Sequence, residues 1–179
     1  MFKEKRVRNS ELLQIFLLDT LYSLSGSEKI FFQGGTALRW VYGGMRFSGD
    51  LDFVTHLAIK DIHKIVFFET LKQDHRPEIT KTVLRDLPSI AGLISSGKLI
   101  MPYSSSIILT ETPEEILAGK IRAIYERNYL KGRDIYDIWW LTEQLKVKTS
   151  WDRTRAKFTM YETDFLPARG SEYFQKKKQ

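Results

Sequence analysis

The sequence predicts an α+β fold followed by a helical C-terminal part. Three observations carry that prediction. Short apolar runs bounded by glycine or proline alternate with longer periodic runs through residue 110. From Thr112 onward the apolar spacing is helical throughout two consecutive segments. No internal repeat and no Pro/Gly/Ser linker divides the chain. The expected organisation is a core over residues 1–110 and a helical part over 111–179 ending in a basic tail.

The elements follow in order. Residues 10–24, "SELLQIFLLDTLYSL", read as a helix capped by Asn9 or Ser10, with apolar residues at 12, 13, 16, 17, 21 and 24. "KIFFQ" is a short buried strand. Gly34-Gly35-Thr36 turns the chain into "TALRWVY", a helix of about two turns that Gly43-Gly44 stops. "SGDLDFV" is the next strand. Residues 58–72 read as an amphipathic helix, and short strands are expected around 78–84, 98–102 and 106–109. Pro88 and Pro102 mark turns or edges. In "TPEEILAGKIRAIYERNYL" Thr112 caps a helix, Pro113 takes its first position and Glu115 is placed for a capping box. "KGRDIYDIWWLTEQL" is a second helix after a break at Gly132, making a helical hairpin with Ile135, Ile138, Trp139 and Trp140 as core. One further helix is expected before "QKKKQ".

Composition bounds the function. The chain has 179 residues, 42% of them hydrophobic, enough for one real core. No apolar run approaches the roughly 18 residues that span a bilayer, so no membrane association is expected. The charged start, "MFKEKRVRNS", carries no signal-peptide pattern. Cysteine is absent, which excludes disulfides, thiolate catalysis and Cys-type zinc sites. A cytoplasmic location fits. The net charge of +6 and a pI near 9.4 suit a polyanionic partner, nucleic acid first. His56, His63 and His75 show no metal-ligand spacing, and no Gly-x-Ser-x-Gly, P-loop or Gly-x-Gly-x-x-Gly occurs.

The chemistry concentrates in "FFQGGTALRWVYGGMRFSGDLDF". On a strand, Asp50 and Asp52 share one face, their Cα atoms roughly 7 Å apart. Two such carboxylates repel unless a cation lies between them, and hard oxygen ligands suit Mg²⁺. Ser48 falls on the same face and can donate to a phosphate, as can the backbone of the Gly34-Gly35-Thr36 turn. In the hairpin, Lys120, Arg127, Lys131 and Arg133 make a basic region, with Asp134 and Asp137 three residues apart on the second helix. Salt bridges across the helix pair are the ordinary reading of Arg133 and Asp137. Lys120 instead sits within an apolar stretch and can reach a phosphate as a point charge.

"GGTALRWVYGGMRFSGDLDF", followed by "TETPEEILAGKIRAIYERNYLKGRDIYDIWWL", resembles the AbiEii/AbiGii-type nucleotidyltransferase toxins of the DNA polymerase β-like superfamily. The similarity runs from about residue 10 to 145. It implies a polymerase β-like core, a small mixed sheet flanked by helices, then helices. It further implies transfer of a nucleotide from an NTP, with Mg²⁺ or Mn²⁺, onto an RNA such as tRNA, and a cognate antitoxin from the same operon. Gly34, Gly35, Thr36, Arg46 and Ser48 would bind the nucleotide. Asp50 and Asp52 would be catalytic and bind metal. Lys120 would contact the triphosphate, and Asp134, with Arg133 beside it, would be the acid of the last motif.

The chain departs from the superfamily at a third carboxylate. Met101, in "GKLIMPYSS", stands about where that acid is expected, and Asp86 in "RDLPS" is the nearby alternative. The competing reading is therefore a non-catalytic protein on the same fold that binds RNA, nucleotide or antitoxin.

Overall fold

A computed structural model describes residues 2–57, 66–70, 76–100 and 106–162. These residues fold as α+β, with a five-stranded mixed sheet and six α-helices among them. They divide into two compact units. The first takes in residues up to Thr70 and Ile79–Glu111, the second Leu71–Glu78 and the chain from Thr112.

In the first unit, α1 (Phe2–Ser23) leads through a short turn to β1 (Ile30–Gln33), α2 (Gly34–Trp40), β2 (Leu51–Thr55) and β3 (Val66–Thr70). Then come β4 (Ile79–Val83), α3 (Pro88–Ser95) and β5 (Ile107–Glu111). The strand order is β3-β2-β1-β5-β4. β1 is central, antiparallel to β2 and parallel to β5; β2 and β3 run parallel, β4 and β5 antiparallel.

One face of the sheet is held by aromatic rings. Phe32, Phe53 and Phe68 lie side by side on β1, β2 and β3, each adjacent pair of centroids 5.3 Å apart. Tyr22 of α1 approaches Phe53 at 6.4 Å, and Ile15 and Leu18 from the same helix are fully buried. The spacing 15, 18, 22 is one helical stripe, which is why this face of α1 is buried. Burying whole Phe, Leu and Ile side chains contributes about 1.5–3 kcal/mol each. The Tyr22 hydroxyl lies 3.0 Å from the carbonyls of both Ile30 and Leu109, so one proton serves two strands. Burial pushes its ionisation far above the usual tyrosine range, against the smaller opposite pull of the backbone at Leu109 and Phe32.

The structure corrects several expected boundaries. α1 runs through Asn9 and Ser10, so neither caps it. Within the expected helix 58–72, residues 66–70 form strand β3, and the rest of that stretch lies outside the described residues. Pro88 opens a helix at its first position instead of marking a turn. Lys98–Ile100 form no strand, and Met101 lies outside the described residues.

The second unit contains α4 (Pro113–Glu126), α5 (Gly132–Trp139), a single π-type turn over Trp140–Gln144, and α6 (Trp151–Met160). Thr112 caps α4, its hydroxyl accepting from the Glu115 N–H at 3.4 Å. The Glu115 side chain does not complete a capping box. It is buried and pairs with Lys157 at 2.9 Å and Arg153 at 3.3 Å, tying α4 to α6. α4 also stops at Glu126, earlier than expected, with Arg127 extended beyond it. On α5 the expected core is partly inverted. Asp134 and Asp137 are buried while Ile135 and Trp139 are about half exposed.

Candidate functional site

The segment from Gln33 to Asp52 folds back on itself, and its glycines show how closely. Gln33 pairs with Asp52 across β1 and β2, so Gly34 leaves the strand beside that carboxylate. Gly34 has φ +81°, a left-handed conformation that glycine adopts without a steric cost. A Cβ there would lie 2.5 Å from Asp52 Oδ2. At Gly35, a Cβ would overlap the Arg46 guanidinium and lie 3.1 Å from Ser48 Oγ. The turn is therefore tight at both glycines, because the side chains of Asp52, Arg46 and Ser48 press against its backbone.

Thr36 and Asp50 have different placements from those expected. Thr36 is buried, and its hydroxyl donates to the Asp50 carbonyl. β2 begins at Leu51, so Asp50 sits in the loop immediately before the strand, not on its face. Arg46, in the same loop, donates from Nη1 to the Phe47 carbonyl at 3.0 Å. The structure thus gathers Gly34, Gly35, Arg46, Ser48 and Asp52 around one turn and anchors Asp50 to it through Thr36.

A residue missed by sequence reasoning adds to this face. Glu69 on β3 is the register partner of Val54, two residues along β2 from Asp52. Alternation puts Val54 and Asp52 on one face. The Glu69 carboxylate accepts from Gln33 Nε2 at 3.4 Å, and Gln33 is itself the partner of Asp52. The run Ile65-Val66-Phe67-Phe68, β-branched and aromatic, is the signal that could have located this strand. Asp86, the alternative acid, lies in a short 3-10 turn and is exposed, its nearest described cation being Arg85 at 3.9 Å.

In the helical unit Lys120 is mostly buried. Its ammonium lies 2.8 Å from Asp137 and 3.4 Å from Asp134. Arg127 pairs with the other oxygen of Asp134. Both acids are within a few per cent of full burial, so two cations and two anions balance in place. The ordinary reading of Asp137 as a salt-bridge acid describes this arrangement. Arg133, next to Asp134 on α5, is exposed.

Among the described residues, no three His, Cys, Asp or Glu are gathered closely enough to enclose a metal ion. The donor set nonetheless suits Mg²⁺, which keeps several waters and uses one or two carboxylates together with substrate phosphates. Asp52 and Asp50 two residues before it, with Arg46 and Ser48 around the bare backbone of Gly34 and Gly35, are the groups that would hold such an ion together with its phosphates.

A family model described as "Nucleotidyl transferase AbiEii toxin, Type IV TA system" matches the chain over residues 16–95 and 75–177. The chain belongs to the AbiEii nucleotidyltransferase toxin family. Both matched segments carry parts described above, the first the glycine turn and β2, the second the Lys120 cluster. A type IV toxin family implies an antitoxin partner. Compared with curated proteins and with solved structures, the chain gives no significant match. No helix among the described residues is long and apolar enough to cross a membrane.

Proposed function

We propose that this AbiEii family member is a Mg²⁺- or Mn²⁺-dependent enzyme on a polymerase β-like core that transfers a nucleotide from an NTP to an RNA, tRNA in the first instance. The observation that carries the reading is the contact of Gly34 and Gly35 with Asp52, Arg46 and Ser48. It sets oxygen ligands for a cation beside donors for phosphate.

Asp50 and Asp52 are the residues that would hold the metal. When bound, the metal neutralises triphosphate charge and favours attack at the α-phosphate. Arg46, Ser48 and the N–H groups of the turn hold phosphate oxygens and fix their direction. Glu69 is the candidate third carboxylate. It lies on the same sheet face as Asp52 and is oriented by Gln33. Its proposed task is to accept the proton of the attacking hydroxyl, in place of the acid sought at residue 101. That candidate favours an enzyme over a non-catalytic binding protein.

Lys120 is proposed to contact the triphosphate. Asp134 and Asp137 would serve by keeping its ammonium charged and aimed. Asp134 thus acts through Lys120 in this reading, not on the substrate. The basic net charge of +6 suits an RNA acceptor. A cytoplasmic location accords with such a substrate.

The test is incubation of the purified chain with each labelled NTP and bulk RNA, with and without Mg²⁺. Label should enter RNA only with the metal, and the Asp52→Asn chain should leave the RNA unlabelled. Equal labelling by wild type and Asp52→Asn would reject the assignment.

A further inference from the structure

The structure assigns Gln14 of α1 the role of a positioning residue for the loop that carries Arg46, Ser48 and Asp50, an inference that rests on the nucleotidyltransferase reading. Gln14 is fully buried, which is unusual for a side chain with two polar ends. Both ends are used. Its Oε1 accepts from Trp40 Nε1 at 3.1 Å, and its Nε2 donates to the Ser48 carbonyl at 2.8 Å. The direction of the amide is fixed by its partners. An indole N–H can only donate and a carbonyl can only accept, so a flipped amide would fail at both ends.

The loop needs such a bond. Residues 43–50 have neither helical nor strand hydrogen bonding to fix their path. Two buried side chains hold two of the loop's carbonyls instead. Gln14 takes that of Ser48, and Thr36 takes that of Asp50. The two bonds flank Gly49, which can take up the slack if either bond is lost. Gln14 therefore sets where the Ser48 hydroxyl and the Asp50 carboxylate stand relative to Asp52, which the β1–β2 ladder fixes independently. An apolar residue at 14 would leave the Trp40 N–H unpartnered in a buried place and the half-buried Ser48 carbonyl without its side-chain donor.

The full-length chain carrying Gln14→Met, of nearly the same volume, tests this against Leu18→Ala, a cavity in the same helix at a side chain with no hydrogen bond to lose. Two quantities are read at a temperature where both variants keep native far-UV circular dichroism. The ¹⁵N order parameters of the backbone across residues 45–50 should fall toward about 0.6 in Gln14→Met and stay near the wild-type value in Leu18→Ala, since only the first variant loses the bond that holds the Ser48 carbonyl. The kcat for nucleotide transfer to bulk RNA should fall about 100-fold in Gln14→Met, with a much smaller change in the KM for NTP, because small misplacements of reacting groups have effects of that order. Unchanged order parameters in the loop overturn the role. So does a loosened loop with kcat within twofold of wild type. A wild-type chain that transfers no nucleotide overturns the underlying reading and the positioning role together, while the order parameters still show whether Gln14 holds the loop. Should Gln14→Met not fold, Gln14→Glu replaces it. That carboxyl accepts from Trp40 but, once ionised, offers Ser48 no proton. The loop should then loosen relative to wild type as pH rises, and a pH-independent ratio overturns the role.

Discussion

Gly34 and Asp52 face each other so closely that a methyl group on the glycine would lie 2.5 Å from the carboxylate oxygen. Asp52 is short and fixed by its strand, so it cannot retreat as a long side chain would. Gly34→Ala should therefore cost about 1–2 kcal/mol for the left-handed backbone alone, with more from the overlap. Gly35→Ala meets the flexible end of Arg46, which can swing away, and Ser48 Oγ at 3.1 Å, against a gain in helix propensity of about 1 kcal/mol. Urea unfolding should show a clear loss for the first variant and near-neutrality for the second, with transfer impaired in both. Equal stability losses would contradict the contact described.

Asp50→Asn and Asp52→Asn should each lower transfer below detection while shifting stability by no more than about 1 kcal/mol. The check is Mg²⁺-dependent labelling of RNA alongside thermal melting of the same preparations. Wild-type labelling by either variant would remove that residue from the proposed site.

Glu69→Gln keeps the hydrogen-bonding shape toward Gln33 but removes the proton acceptor. If Glu69 is the general base, kcat should fall about 10²- to 10⁴-fold with little change in the KM for NTP. A kcat within a few-fold of wild type would leave Glu69 a structural partner of Gln33.

Asp134→Ala removes one buried acid from the cluster and leaves Lys120 and Arg127 with less compensation. The expected destabilisation is about 3–5 kcal/mol. Asp134→Ala with Arg127→Ala in the same chain should recover part of it, since that deletion removes the cation left behind. Denaturant melts of the two variants decide the matter, and no recovery in the double variant would show that the pair does not couple.

Tyr22 gives a pH dependence with a definite sign. Its hydroxyl stays protonated in the folded chain well past the ordinary tyrosine value of about 10. Below pH 10 neither state loses the proton, so stability from this group is flat. Above it the unfolded chain ionises while the folded chain does not, and stability falls as pH rises. Tyr22→Phe should be about 1 kcal/mol less stable at neutral pH and show a shallower decline above pH 10. Parallel declines would mean that another group governs alkaline unfolding.

The parts of the site that were legible in the sequence are those specified locally. Gly34-Gly35 marked the passage from strand to helix, Ile30, Phe31 and Phe32 could only be buried, and alternation fixed Leu51 and Phe53 inward. The cap at Thr112 was likewise a short-range signal. What could not be read depended on distant partners. β3 hides in a stretch whose apolar spacing also suits a helix, and pairing with β2 decides the matter, so Glu69 went unseen with it. Gln14 looks like any polar residue of an amphipathic helix until Trp40 and Ser48 arrive at its two ends. The inverted face of α5 has the same origin, because Lys120 and Arg127 draw the acids inward from another helix.

The strand order of the first unit also sets a sequence of events during synthesis. β1 and β2 belong to a short stretch and can pair early, but the other neighbour of β1 is β5, which begins only at Ile107. A nascent chain stopped before that residue holds its central strand with one edge open, the state most prone to pairing with another chain. The glycine turn and its acids can thus take shape on the ribosome well before the sheet beneath them is closed. Ribosome-bound chains truncated at residue 105 should bind edge-seeking chaperones and resist proteolysis poorly, and chains extended past Glu111 by enough to clear the exit tunnel should do neither.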